Sequence, residues 1–168
     1  MTLVAALLLG APMAAFPALA PEAPHTGVAQ LACGPARWEA HTTSVAHGEA
    51  DELKWTEQLI TVRRAAAGPA RTILVEKPAK AQAGLQAVVS SWQCLPARSG
   101  RVVELWLTCA RTDLAGACQG QQEWMRLLSV DGQRLDRAYA PADRRYPALL
   151  RKLGLRIDGV SMKDATGE

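Results

Sequence analysis

Phenylalanine and tyrosine are nearly missing from this chain, with one Phe and two Tyr beside five Trp. A core without them draws its bulk from other side chains. Trp38, Trp55, Trp92, Trp106 and Trp124 are therefore read first as core volume, with room for one of them at the surface as a stacking platform. No Cys-x-x-Cys occurs, and Cys33, Cys94, Cys109 and Cys118 do not follow a zinc spacing, which excludes the familiar redox and zinc-finger signatures. There is no glycine-rich phosphate loop, and no serine sits in a nucleophile-elbow or lactamase context. The basic excess is small, Lys+Arg 19 against Asp+Glu 16, which gives no reason to expect nucleic acid as a partner. No apolar run reaches the length of a membrane span, and a charged share of 21% argues against wholesale disorder. At 168 residues without internal repeats, one domain is the expectation.

The N-terminal segment 1–20 carries no charge. It runs Leu3 to Leu9 before Gly10 and Pro12, and ends Ala18-Leu19-Ala20, the small-x-small pattern of a secretory cleavage site. A signal peptide over 1–20 is the expectation, with Gly27-Val28-Ala29 as a second cut and a retained apolar anchor as the alternative. Cys33 follows Gln30-Leu31-Ala32, a loose lipobox. Lipidation there would strand three cysteines in an oxidising compartment, so two disulfides are favoured.

Residues 21–36 hold Pro21, Pro24, Gly34 and Pro35 and read as an extended lead-in. A β-rich domain then spans 37–157 and a flexible tail 158–168. Strands are expected at 38–45, 53–63 and 72–75, with Ile60 and Val62 sharing one face of the second. Residues 79–95 are open between helix and strand; a strand over 87–95 is favoured, with a helical turn at 79–86. A further strand covers 101–110. Asp131-Gly132 between two alternating segments predicts a type I′ hairpin pairing Leu128 with Leu135, Trp124 with Tyr139 and Arg126 with Arg137. Pro147 to Leu153, followed by Gly154, reads as a two-turn helix whose Leu149, Leu150 and Leu153 cap the sheet. The fold class is mainly β: one small antiparallel sheet, barrel-like or sandwich domain, with a short C-terminal helix and two disulfides.

If 87–95 and 101–110 form a hairpin, Cys94 and Cys109 lie roughly 26 Å apart at ~3.3 Å per residue, beyond disulfide reach. Cys109–Cys118 and Cys33–Cys94 are then the pairs; a helical 79–95 would lift that exclusion. The loop Ser99-Gly100-Arg101-Val102-Val103 resembles the Ser-Gly-x-x-Tyr loop of bacterial periplasmic lysozyme inhibitors of the MliC type, small disulfide-containing β-barrels. Val103 stands where that Tyr belongs, so no inhibitory residue is carried over.

Candidate chemistry is thin. His41 and His47 with Glu49, Asp51 and Glu52 read as a solvated turn rather than a metal site, and no cofactor is expected. Charge placement says more. Between 134 and 156 lie Arg134, Arg137, Arg144, Arg145, Arg151, Lys152 and Arg156 against Asp136 and Asp143, a local +5 to which Arg126 is added by the hairpin register. That patch suits an acidic envelope protein, an anionic glycan or a lipid headgroup. The expected function is an exported, non-enzymatic binding protein of the bacterial envelope, an inhibitor or immunity protein against a wall-degrading enzyme being its most concrete form. A glycan- or lipid-associated module using an exposed Trp is the alternative, and a small hydrolase with scattered acids the third.

Overall fold

The computed structural model describes residues 23–47, 52–64, 68–76, 85–110, 118, 121–155 and 161–167. The leader expected over 1–20, most of the helical turn at 79–86, the side chain of His47 and Arg156 lie outside them. Two four-stranded antiparallel sheets face each other. The first is a meander of β1 (His25–Cys33), β2 (Ala36–His47), β3 (Glu52–Arg63) and β4 (Arg71–Glu76). The second contains β5 (Ala87–Ala97), β6 (Gly100–Cys109), β7 (Glu123–Ser129) and β8 (Lys163–Asp164) in the order β7-β6-β5-β8. The single helix among the described residues, α1 (Arg145–Leu153), follows β7. Among the described residues no helix is long and apolar enough to cross a membrane.

Period-two alternation turns one face of each strand inward. Leu31, Trp38, Ala40, Ile60 and Val62 from the first sheet meet Val89, Trp92, Val103, Leu105, Leu107 and Leu128 from the second. Trp38 and Trp92 are fully buried, and Trp55, Trp106 and Trp124 are half-buried, so tryptophan supplies the bulk that Phe and Tyr do not. The Trp38 indole N–H donates to the Val130 carbonyl across the sandwich at 3.2 Å. A second core lies on the outer face of the second sheet, where Leu95, Val102, Met125 and Leu127 receive Tyr139, Tyr146 and the leucines of α1.

The two disulfides are Cys33–Cys94 and Cys109–Cys118, with Cα atoms 5.3 and 5.9 Å apart. The first joins sheet to sheet over a separation of 61 residues and constrains the unfolded chain more than the second, with a separation of 9. The segment 87–95 is strand, as favoured, and β5 and β6 turn tightly through Arg98-Ser99.

Three expectations are corrected. The lead-in is not merely extended: residues 25–33 form β1, whose inward positions Gly27, Ala29, Leu31 and Cys33 include a single large apolar side chain, Leu31, too little for a hydrophobic pattern to mark the strand. The tail is not frayed where described. Lys163 and Asp164 pair with Trp92 and Ser91, Ala165 is fully buried, and the Asp164 carboxylate accepts the backbone N–H of Thr166 and Gly167. The hairpin turn is not type I′. Gly132 alone has positive φ, 79°, its N–H donates to the Ser129 carbonyl at 2.9 Å, and Ser129 pairs with Gln133 around a three-residue loop. Bridges Leu128↔Arg134 and Met125↔Tyr139 replace the expected register.

Candidate functional site

Of the basic residues flagged in the sequence, Arg134, Arg137, Arg144, Arg145, Arg151 and Lys152 lie on α1 and on the segment that leads into it from β7. The helix has no side-chain N-cap; Asp143, just before its start, accepts the Arg145 backbone N–H at 3.0 Å instead. At the other end Gly154 takes the left-handed conformation, its N–H reaches Arg151 and Leu150, and Leu155 N–H bonds the Leu150 carbonyl at 2.9 Å. Arg151 and Lys152 in the last turn oppose the partial negative charge of that terminus. The Arg98 N–H donates to the Leu153 carbonyl at 3.1 Å, anchoring the helix end on the β5–β6 turn. A cavity of about 560 Å³ lies at this junction, lined by Pro96, Ala97, Arg98, Gly154 and Leu155.

Asp143 organises the other end. Its carboxylate accepts the Arg145 guanidinium twice, each at 3.0 Å, and the Arg137 guanidinium at 2.9 Å. The Arg145 hydrogen bonds come first among the causes that hold this carboxyl at about 2, and Arg145 is raised in turn. Asp136 is also lowered, chiefly by the Tyr139 hydroxyl that donates to it at 2.8 Å. Arg137 lies 4.7 Å from the Tyr139 ring centroid, and Tyr139 packs on Tyr146 with centroids 5.5 Å apart. Tyr146 then donates to Glu104, a buried carboxylate that also accepts from the Gln93 amide. Burial, with that bond, raises the Tyr146 phenol far above its ordinary value. The basic surface thus rests on a rigid aromatic and polar base.

The expected patch is brought together only in part. Arg134, Arg144, Arg151 and Lys152 are exposed and make no ion pair among the described residues, whereas Arg137 and Arg145 share Asp143. Arg126 does not belong to it. Alternation along β7 puts Arg126 on the face of Trp124 and Leu128, towards the first sheet, and the irregular register leaves it without Arg137 opposite. None of the five Trp is among the exposed large hydrophobics, which among the described residues are Val28, Leu135 and Met162. Among the described residues no group of three or more His, Cys, Asp or Glu side chains forms a metal-sized cluster.

Sequence reasoning missed Glu104, Gln93 and Tyr146. The Glu at the centre of the otherwise apolar run Val102 to Leu107 was the available signal, since a buried acid needs partners. No known protein family, curated protein or solved structure matches this chain.

Proposed function

We propose that the chain is an exported, disulfide-stapled binding protein of the bacterial cell envelope, without chemistry of its own. In this reading it engages an acidic protein surface through the basic face of α1 and works as an inhibitor or immunity protein against a wall-degrading enzyme. The supporting observation is the division of labour among the cations. Arg134, Arg144, Arg151 and Lys152 face solvent without an acid partner among the described residues, while Arg137 and Arg145 are tied to Asp143. Exposed cations on a rigid base steer an acidic partner and set its orientation. Two disulfides suit an oxidising compartment.

An anionic lipid or glycan is the second reading, favoured by the same charges. Its stacking version lacks a platform, because no Trp is exposed.

The test is charge reversal. The triple variant Arg144→Glu, Arg151→Glu, Lys152→Glu should lose a salt-sensitive complex with an acidic envelope protein and lose inhibition of wall hydrolysis in envelope extracts. Flotation with phosphatidylglycerol vesicles tests the second reading. If the parent chain neither binds a protein in a salt-dependent way nor changes wall hydrolysis, the inhibitor reading falls.

A further inference from the structure

The outer face of the first sheet carries charge on a surface that the basic helix does not share. The β2–β3 register sets Arg37 directly opposite Arg63, and both are exposed. Directly opposed residues stand about 4.5–5.5 Å apart, so two guanidinium stems rise side by side and repel. Neither makes an ion pair among the described residues. Lys163 of β8 lines the same cleft, of about 450 Å³, together with Gln30, Glu39 and Thr61. The acid of the cleft is already engaged. One Glu39 oxygen meets His41 Nε2 at 2.8 Å, and the other accepts the Gln30 amide at 2.9 Å. Three cations therefore face one carboxylate whose oxygens both have other partners.

We propose that this cleft is an oxyanion site in which Arg37, Arg63 and Lys163 together hold a tetrahedral phosphate- or sulfate-class group. The cations come from three strands, β2, β3 and β8. A tetrahedral oxyanion presents several acceptor oxygens to such a set, whereas a carboxylate has only two. Guanidinium forks are suited to this bidentate geometry, and the ligand would neutralise the repulsion of the directly opposed Arg37 and Arg63. The volume lies within the ~300–1,000 Å³ range of small-molecule sites, enough for the anion together with a sugar-sized substituent. Free phosphate and a phosphorylated sugar share this chemistry. The site does not depend on the reading of α1.

Calorimetric titration of the oxidised chain with inorganic phosphate, glucose 6-phosphate and glucose at constant ionic strength tests it. Either anion should bind and glucose should not. Equal affinity for the two anions assigns free phosphate as the source, and at least tenfold tighter binding of the ester assigns a phosphorylated sugar. Arg37→Gln with Arg63→Gln should weaken binding at least tenfold, while Arg151→Gln with Lys152→Gln leaves it unchanged. Without ligand the Arg37/Arg63 variant should melt at or above the parent temperature, because it removes a repulsion. Arg37→Lys keeps the charge but loses the fork, and should weaken binding severalfold in a chain that folds normally. Failure of both anions to bind, or parent-like binding by the Arg37/Arg63 variant, overturns the site.

Discussion

Gln58 treats Val89 as a neighbouring strand would: its amide oxygen accepts the Val89 N–H at 2.8 Å and its amide nitrogen donates to the Val89 carbonyl at 2.9 Å. The same nitrogen reaches the Thr42 hydroxyl at 3.1 Å, and Gln58 is fully buried. Val89 lies where the β5–β6 register shifts, between Val89 and Ser91. One side chain thus joins β3 of the first sheet to β5 of the second.

Gln58→Leu conserves bulk and leaves the Val89 N–H and carbonyl buried without these partners. Each such group costs about 1–3 kcal/mol. Urea denaturation should show a midpoint lowered to match, with the slope unchanged because the exposed area on unfolding is the same. A midpoint within error of the parent would mean that another group takes over the bonds.

Gly27 and Gly167 fix the tail against β1 backbone to backbone. A Cβ on Gly27 would stand 2.3 Å from the Thr166 carbonyl oxygen, and one on Gly167 would stand 2.3 Å from the Val28 nitrogen. Gly27→Ala should therefore lift residues 163–167 off the sandwich, at about 1–3 kcal/mol for the overpacking. Hydrogen exchange reads this directly. The Ala165 N–H, bonded to the Ser90 carbonyl at 3.0 Å, should lose protection while the β6 amides keep theirs. Unchanged protection at Ala165 would show that β1 shifts instead.

The tail also shows where the sequence stopped being legible. Strand alternation was plain over 53–63, and of its two faces the one carrying Ile60 and Val62 is the buried one. Ala165 and Gly167 pack through backbone and a methyl group, which leave no hydrophobic pattern to read. Asp131-Gly132 marked the turn correctly, but Val130 joins the loop, and that one extra residue undid the expected pairings. The same shift misplaced Arg126. The local charge could be counted from the sequence, but Asp143 gathering Arg137 and Arg145 depends on a tertiary arrangement. The Arg37–Arg63 pair likewise needs the exact β2–β3 register, which includes a shift between Thr43 and Ser44.

Asp143 makes the basic face sensitive to acid, and the sign follows from its carboxyl. Held at about 2 by the Arg145 hydrogen bonds, against an ordinary 3.8, it binds fewer protons in the folded chain than in the unfolded one. Its contribution is fully present above the unfolded value and is lost as pH falls through the folded one. Asp136, lowered chiefly by Tyr139, acts in the same direction. The melting temperature of the parent should fall on acidification from pH 4 to pH 2, and Asp143→Asn should flatten part of that fall, since nothing remains to protonate at this position. Near neutral pH the same variant frees Arg137 and Arg145 from a charged partner, so affinity for a polyanion such as heparin should rise and become steeper in salt. Parallel melting curves for parent and Asp143→Asn between pH 4 and pH 2 would show that the clamp adds nothing to folding, and unchanged heparin retention would show that its two arginines were never withheld from solvent anions.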